Sequence, residues 1–211
     1  MKKTILFLMG LTCTLMSFAQ FTLSENESQK IVESAEFKNA LQAKINTVET
    51  VYAAVQRGIK PEALQDAYNT GVKTGDYSTF YLRLFGSEKQ GAEFVTQVEA
   101  SQRAYLKAFP ELEQAGEQAV CTKCSTSPQE QFAYLLKNLE AFHDMRNFYN
   151  PNARNAPDKP TCGSYWKQAL LLLCGAACSG TGPAVLYCGY ECWCKICTEN
   201  SVLTNHMCVK N

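Results

Sequence analysis

Ser24-Glu25-Asn26-Glu27 opens the stretch that decides the fold. The Ser-x-x-Glu spacing is that of a capping box, in which each side chain satisfies a backbone donor left free at a helix start. Behind it, apolar residues stand at Ile31, Ala35, Leu41, Ile45, Val48, Tyr52 and Val55. Most are three or four apart, the spacing that lines one face of a helix. Gly58 ends the run. The pattern predicts one long amphipathic helix.

The same grammar repeats downstream. Pro61 suits a first helical position and predicts a short helix to about Tyr68. Asp76 is placed to cap a helix carrying Phe80, Tyr81, Leu84 and Phe85. Ser87 begins a longer one with Phe94, Val98, Tyr105 and Phe109, stopped by Pro110. Ser127-Pro128-Gln129-Glu130 combines a cap with a proline at the first position. The helix it opens is expected to carry Phe132, Leu135, Leu136, Leu139, Phe142 and Met145 and to end at Asn150. No stretch alternates like a strand for more than a few residues. The expected fold class is all-α: a helical bundle over residues 20–150, followed by a small disulfide-rich carboxyl-terminal module at 162–211 that contains a helical hairpin.

Residues 1–19 stand apart. Met1-Lys2-Lys3 is basic, residues 5–18 are mostly apolar, and Ser17-Phe18-Ala19 presents small residues where a signal peptidase reads. This predicts an export signal cleaved near Ala19 and a secreted or periplasmic mature chain. Cleavage removes Lys2 and Lys3, so 18 basic residues face 20 acidic ones and the formal charge becomes −2. With no basic run left to neutralise phosphates, nucleic acid is not an expected partner.

Residues 151–161 read as a linker. Pro151, Pro157 and Pro160 lie among asparagines, with no large apolar side chain,. Of 11 cysteines, ten lie beyond Val120, and eight fall between Cys162 and Cys208. Losing Cys13 with the signal leaves an even set, as a fully bridged protein in an oxidising compartment requires.

Cys174 and Cys178 are four apart, as are Cys188 and Cys192, so each pair shares a helix face. Between them stands Ser179-Gly180-Thr181-Gly182-Pro183, with glycine past one helix and proline opening the next. Folding there sets Cys174 opposite Cys192 and Cys178 opposite Cys188. The offset along each helix is the same, about 6 Å. Packed helices usually sit 8–10 Å apart, whereas a disulfide needs Cα atoms at roughly 4.4–6.8 Å. Gly175, Ala176, Ala177 and Gly189 are small enough to allow that approach. Each bridge in loops of this size contributes on the order of 3 kcal/mol, and a module this small needs such links. The paired Cys-x-x-x-Cys motifs also resemble α-hairpinins, which implies a scaffold.

Residues 169–188 are apolar, from Ala169-Leu170-Leu171-Leu172-Leu173 to Ala184-Val185-Leu186-Tyr187. Gly180, Gly182 and Pro183 interrupt them, against a transmembrane helix. They are expected to form the module's core or to dock on the helical region. Exposed in a released peptide, they would instead make a membrane-active surface, with Tyr190 and Trp193 suited to the interface.

No catalytic, cofactor-binding or metal-binding residue is expected. Cys121-Thr122-Lys123-Cys124 precedes a helix, as in thiol–disulfide oxidoreductases, but no strand leads into it; a structural bridge is the expected role. Cys194 and Cys197 form a second such pair. The 69 residues separating it from the first far exceed the roughly 15–20 of zinc sites. His143 and His206 are the only imidazoles. His143, beside Asp144, is expected to be exposed or capping.

The plan of signal, long cysteine-poor region and cysteine-dense tail resembles the exported proteins grouped as bacteriocin fulvocin C-related. The local likeness lies in Cys174-x-x-x-Cys178, Gly180-Thr181-Gly182 and Tyr190-Glu191-Cys192-Trp193-Cys194, within residues 162–211. The resemblance implies a secreted, bacteriocin-like antagonist that perturbs a bacterial membrane or envelope component through a rigid, disulfide-linked tail. The alternative is a periplasmic or extracellular non-catalytic binding module in which both parts pack permanently. A thiol–disulfide oxidoreductase is the third reading.

Overall fold

The structure, a computed structural model, describes residues 23–112, 127–140, 142 and 143, together with Ala169, Pro183 and Leu186. Among these residues the architecture is all-α. Six helices are formed and no strand: α1 (Glu25–Glu33), α2 (Ala35–Gln56), α3 (Pro61–Thr74), α4 (Ser78–Phe85), α5 (Glu88–Ala108) and α6 (Pro128–Lys137). The expected signal, the linker and every cysteine lie outside the described residues.

Local chemistry sets most of the helix starts. Ser24 and Ser127 each accept from the backbone of a glutamate three residues on, while Glu27 and Glu130 reach back to the cap nitrogen. Both capping boxes are complete, and Pro128 fills a position whose N–H would be unbonded anyway. Ser87 caps α5 through the Gln90 amide. Asp76 acts one position earlier than a conventional cap: its Oδ1 accepts from Ser78 N at 2.9 Å, and Tyr77 occupies the cap position.

Two expectations are corrected, besides that of the last helix, which ends at Lys137 with Asn138 at its cap rather than at Asn150. The single helix expected from Ser24 to Gly58 is two helices, broken at Ser34. That residue closes α1 with extended backbone, and its Oγ accepts from Phe37 N to open α2. A serine that caps forward competes with helix continuation, and here the cap wins. The second correction concerns α3, which runs six residues beyond Tyr68, through Gly71, to end at Gly75 in the left-handed conformation. Glycine reaches φ +76 without strain and donates its N–H to Gly71 O at 2.8 Å,.

Helix α2 is the organising element, packed on α1, α4 and α5; α3 bridges α4 and α6, and α5 also lies on α4. Its most enclosed row is Phe37, Ala40, Lys44, Thr47, Val51 and Ala54, with Ala43 and Val48 beside it. The expected stripe is mainly its flank, since Leu41, Ile45, Tyr52 and Val55 are half-buried. With neighbours on several sides, the row is small at Ala40, Thr47, Val51 and Ala54, and its two polar residues bond inside. Thr47 Oγ1, for instance, donates to Ala43 O at 2.9 Å.

Two apolar clusters fill the body. The larger gathers Val51, Leu64, Tyr68, Phe80, Leu84, Val98, Phe132 and Leu135 from α2 to α6. Tyr68, Phe80 and Phe132 meet at centroid distances of 4.7–5.5 Å in tilted and edge-on geometry, which suits the ring quadrupoles. Full burial of one such side chain contributes about 1.5–3 kcal/mol. The smaller cluster gathers Ile31, Phe37, Ala40, Tyr105 and Leu112. Arg57, just past α2, ties two helix ends together: its guanidinium donates to Leu84 O in the last turn of α4 at 2.7 Å.

Candidate functional site

Two residues from the apolar tail segment lie inside this body. Ala169 is wholly buried in the smaller cluster and Leu186 in the larger. Pro183 is also buried, and Leu186 N donates to Pro183 O at 3.1 Å. Of the dispositions open to residues 169–188, these two positions take the docked one.

Each is held by a polar side chain from a different helix. Tyr105, near the end of α5, is fixed edge-on between Phe37 (5.9 Å) and Phe109 (5.6 Å). Its Oη donates to Ala169 O at 3.3 Å. Burial, with the Glu111 charge adding to it, pushes this phenol far above the ordinary tyrosine range, so it remains a donor. Lys44, on the enclosed row of α2, keeps 4% of its surface. Its Nζ donates to Leu186 O at 3.4 Å. A buried ammonium is costly unless acceptors surround it, and Lys44 is therefore the most unusual residue of the body. Sequence reading placed neither residue at a site. The available signal was a lysine at the helical spacing of Phe37, Ala40, Thr47 and Val51, a row otherwise lacking charge.

His143 is neither exposed nor capping, contrary to expectation. It stacks on Tyr52 with centroids 3.6 Å apart and planes at 10°. Its Nε2 lies 3.5 Å from Glu49 Oε2, with 12% of the side chain exposed. Glu49 and Tyr52 are three apart on α2 and present one face, so the aromatic surface of the imidazole finds a partner that a local reading of 143 cannot reveal. A histidine and one carboxylate position a proton, but hydrolysis of the triad kind also needs a nucleophile in line. Among the described residues, the polar partner of His143 is Glu49.

Cys174, Cys192, Cys178 and Cys188, and likewise Cys121, Cys124, Cys162, Cys194, Cys197, Cys208 and His206, lie outside the described residues. Among the described residues, no three His, Cys, Asp or Glu side chains gather as a metal site would require. No described helix is long and apolar enough to cross a membrane.

No family model matches this chain, nor does any curated protein or solved structure.

Proposed function

We propose that this chain is an exported, non-catalytic binding protein whose cysteine-rich tail is a permanent part of the folded body. The observation that carries this reading is the complete burial of Ala169 and Leu186 in the two helical clusters. An envelope-perturbing peptide of the bacteriocin kind would have to withdraw both residues from those clusters. That withdrawal would uncover the apolar surface they fill and break their bonds to Tyr105 and Lys44. On the docked reading the body is a scaffold, and the tail, clamped by Cys174–Cys192 and Cys178–Cys188, presents the binding surface towards a partner of the bacterial envelope. No cofactor, metal or nucleic acid takes part.

The test is to place a protease site within residues 151–161, cut the folded protein, and pass it through size exclusion without denaturant. The fragments are expected to elute together and to leave dye-loaded liposomes intact. Separated fragments, with dye released by the tail, would overturn the reading in favour of the antagonist. Peptide mapping of the non-reduced protein tests the clamp: the two named pairs are expected among the roughly 945 full pairings of ten cysteines.

A further inference from the structure

The break between α1 and α2 is a single residue wide. Neither glycine nor proline makes it: Val32-Glu33-Ser34-Ala35-Glu36 carries side chains that a helix tolerates,. What stops the helix is the Ser34 hydroxyl, which donates to Ile31 O at 2.6 Å and accepts from Phe37 N at 3.1 Å, with ψ at 156°. A helix start leaves its first amides without an intrahelical carbonyl. Straightening Ser34 would lose the cap and give the first amides of α2 carbonyl partners in the last turn of α1, so the two arrangements differ by few bonds. Helix α1 is also lightly seated. Of its residues only Ile31 and Ser28 are buried, and the Ser28 hydroxyl has no hydrogen-bond partner. Its seat is the face of α2 and the smaller cluster, where Ile31 joins Phe37, Ala40 and Tyr105.

We infer that Ser34 is a hinge, and that the seat of α1 is an interface for a second copy of this chain, which fills it with its own α1. With Ser34 helical, residues 25–56 form one helix, and α1 stands about 14 Å clear of the body at roughly 1.5 Å per residue. Ile31 is then exposed and its place beside Tyr105 is open. A second straightened copy, related by a two-fold axis near Ser34, fills both seats at once, each α1 lying on the other's α2. The occupant has to be this same sequence, because only it restores the contacts of the monomer at the seat. Those contacts then cancel between the two forms, and the hinge and the cost of association set the balance. A straight hinge also suits the apolar spacing. Ile31, Leu41, Ile45, Val48, Tyr52 and Val55 come to lie along one uninterrupted helix, and of these Leu41, Ile45, Tyr52 and Val55 are only half-buried in the monomer.

The test is analytical ultracentrifugation of the full oxidised chain and of two variants of opposite sense. Ser34→Ala removes the cap and lets the helix continue. Ala35→Pro suits the first position of α2, where Ala35 is exposed and Ser34 already extended, but it forbids a helix running through that point. Ser34→Ala is expected to tighten dimerisation by roughly thirtyfold, since each dimer holds two hinges, and adding Ala35→Pro is expected to return it to monomer. In the Ser34→Ala dimer, amide exchange at Ala35 and Glu36 should be slower than in the monomer, because both amides gain helical carbonyls. The dimer should also fall apart in detergent without reductant; one held through cysteines counts against the exchange. Ser34→Ala that stays monomeric at every concentration, or a dimer that survives Ala35→Pro, would overturn it. Should Ser34→Ala not fold, the unaltered protein is held concentrated in urea just below its unfolding midpoint. A dimer there that Ala35→Pro abolishes supports the hinge; no dimer, or one formed equally by both, overturns it.

Discussion

The ring of Tyr77 lies across Gly71. A Cβ built on that glycine would stand 2.8 Å from Tyr77 Cε1, and one built on Gly91 would stand 2.6 Å from Tyr81 Cδ1. Both glycines sit inside helices, where alanine is ordinarily the better residue by about 1 kcal/mol. Here the missing side chain is what lets an aromatic ring seat, so Gly71→Ala is expected to lower stability by about 1–3 kcal/mol. Urea unfolding measures it, and a stabilised Gly71→Ala would contradict the packing described.

Ser28 of α1 is wholly buried, and its Oγ has no hydrogen-bond partner. Removing an unsatisfied hydroxyl and adding helix propensity act in the same direction. Ser28→Ala should raise stability by about 1 kcal/mol, seen as a higher denaturation midpoint with unchanged slope. A loss of stability would mean that the hydroxyl is bonded in solution.

Ser34 serves two helices at once. It donates to Ile31 O at 2.6 Å and accepts from Phe37 N at 3.1 Å. Ser34→Ala is expected to cost about 0.5–2 kcal/mol, whereas Ser34→Asp retains a cap acceptor and should cost less. If the two variants prove equally stable, the break between α1 and α2 is held by packing rather than by the cap.

Tyr81 sets an alkaline limit. Burial, with smaller contributions from the Tyr77 and Glu99 charges, pushes its phenol up to about 12. The fold thus favours the neutral ring. Its contribution is fully present below the unfolded value of about 10 and is lost as pH rises through about 12. Thermal midpoints should fall across that interval. In Tyr81→Phe they should fall less, and the tyrosinate absorbance titration should lose a late component. A normal titration of Tyr81 near 10 would show that its ring is solvated.

Much of the helical grammar was readable without a structure. The caps at Ser24, Ser87 and Ser127 and the proline at 61 act on amides within three residues of themselves, so a short window holds all the information. The stops at Gly75 and Gly86 obey the same local logic, and so does the cap at Ser34, hidden because the apolar spacing runs straight through it. The candidate site was far less legible. The apolar stripe of α2 was misplaced towards its flank because Lys44 and Thr47 break the enclosed row, and only their partners in space make them core residues.

The sequence by itself determined that helices and short breaks make up the described residues between Ser24 and Lys137, because helix starts and stops depend on hydrogen bonds between near neighbours. The tertiary structure alone decided that His143 lies flat on Tyr52, that Ala169 meets Tyr105 across 64 residues, and that Leu186 meets Lys44 across 142. Contacts at such separations are selected by the shape and unmet polarity of a packed surface, which does not exist until the helices have assembled.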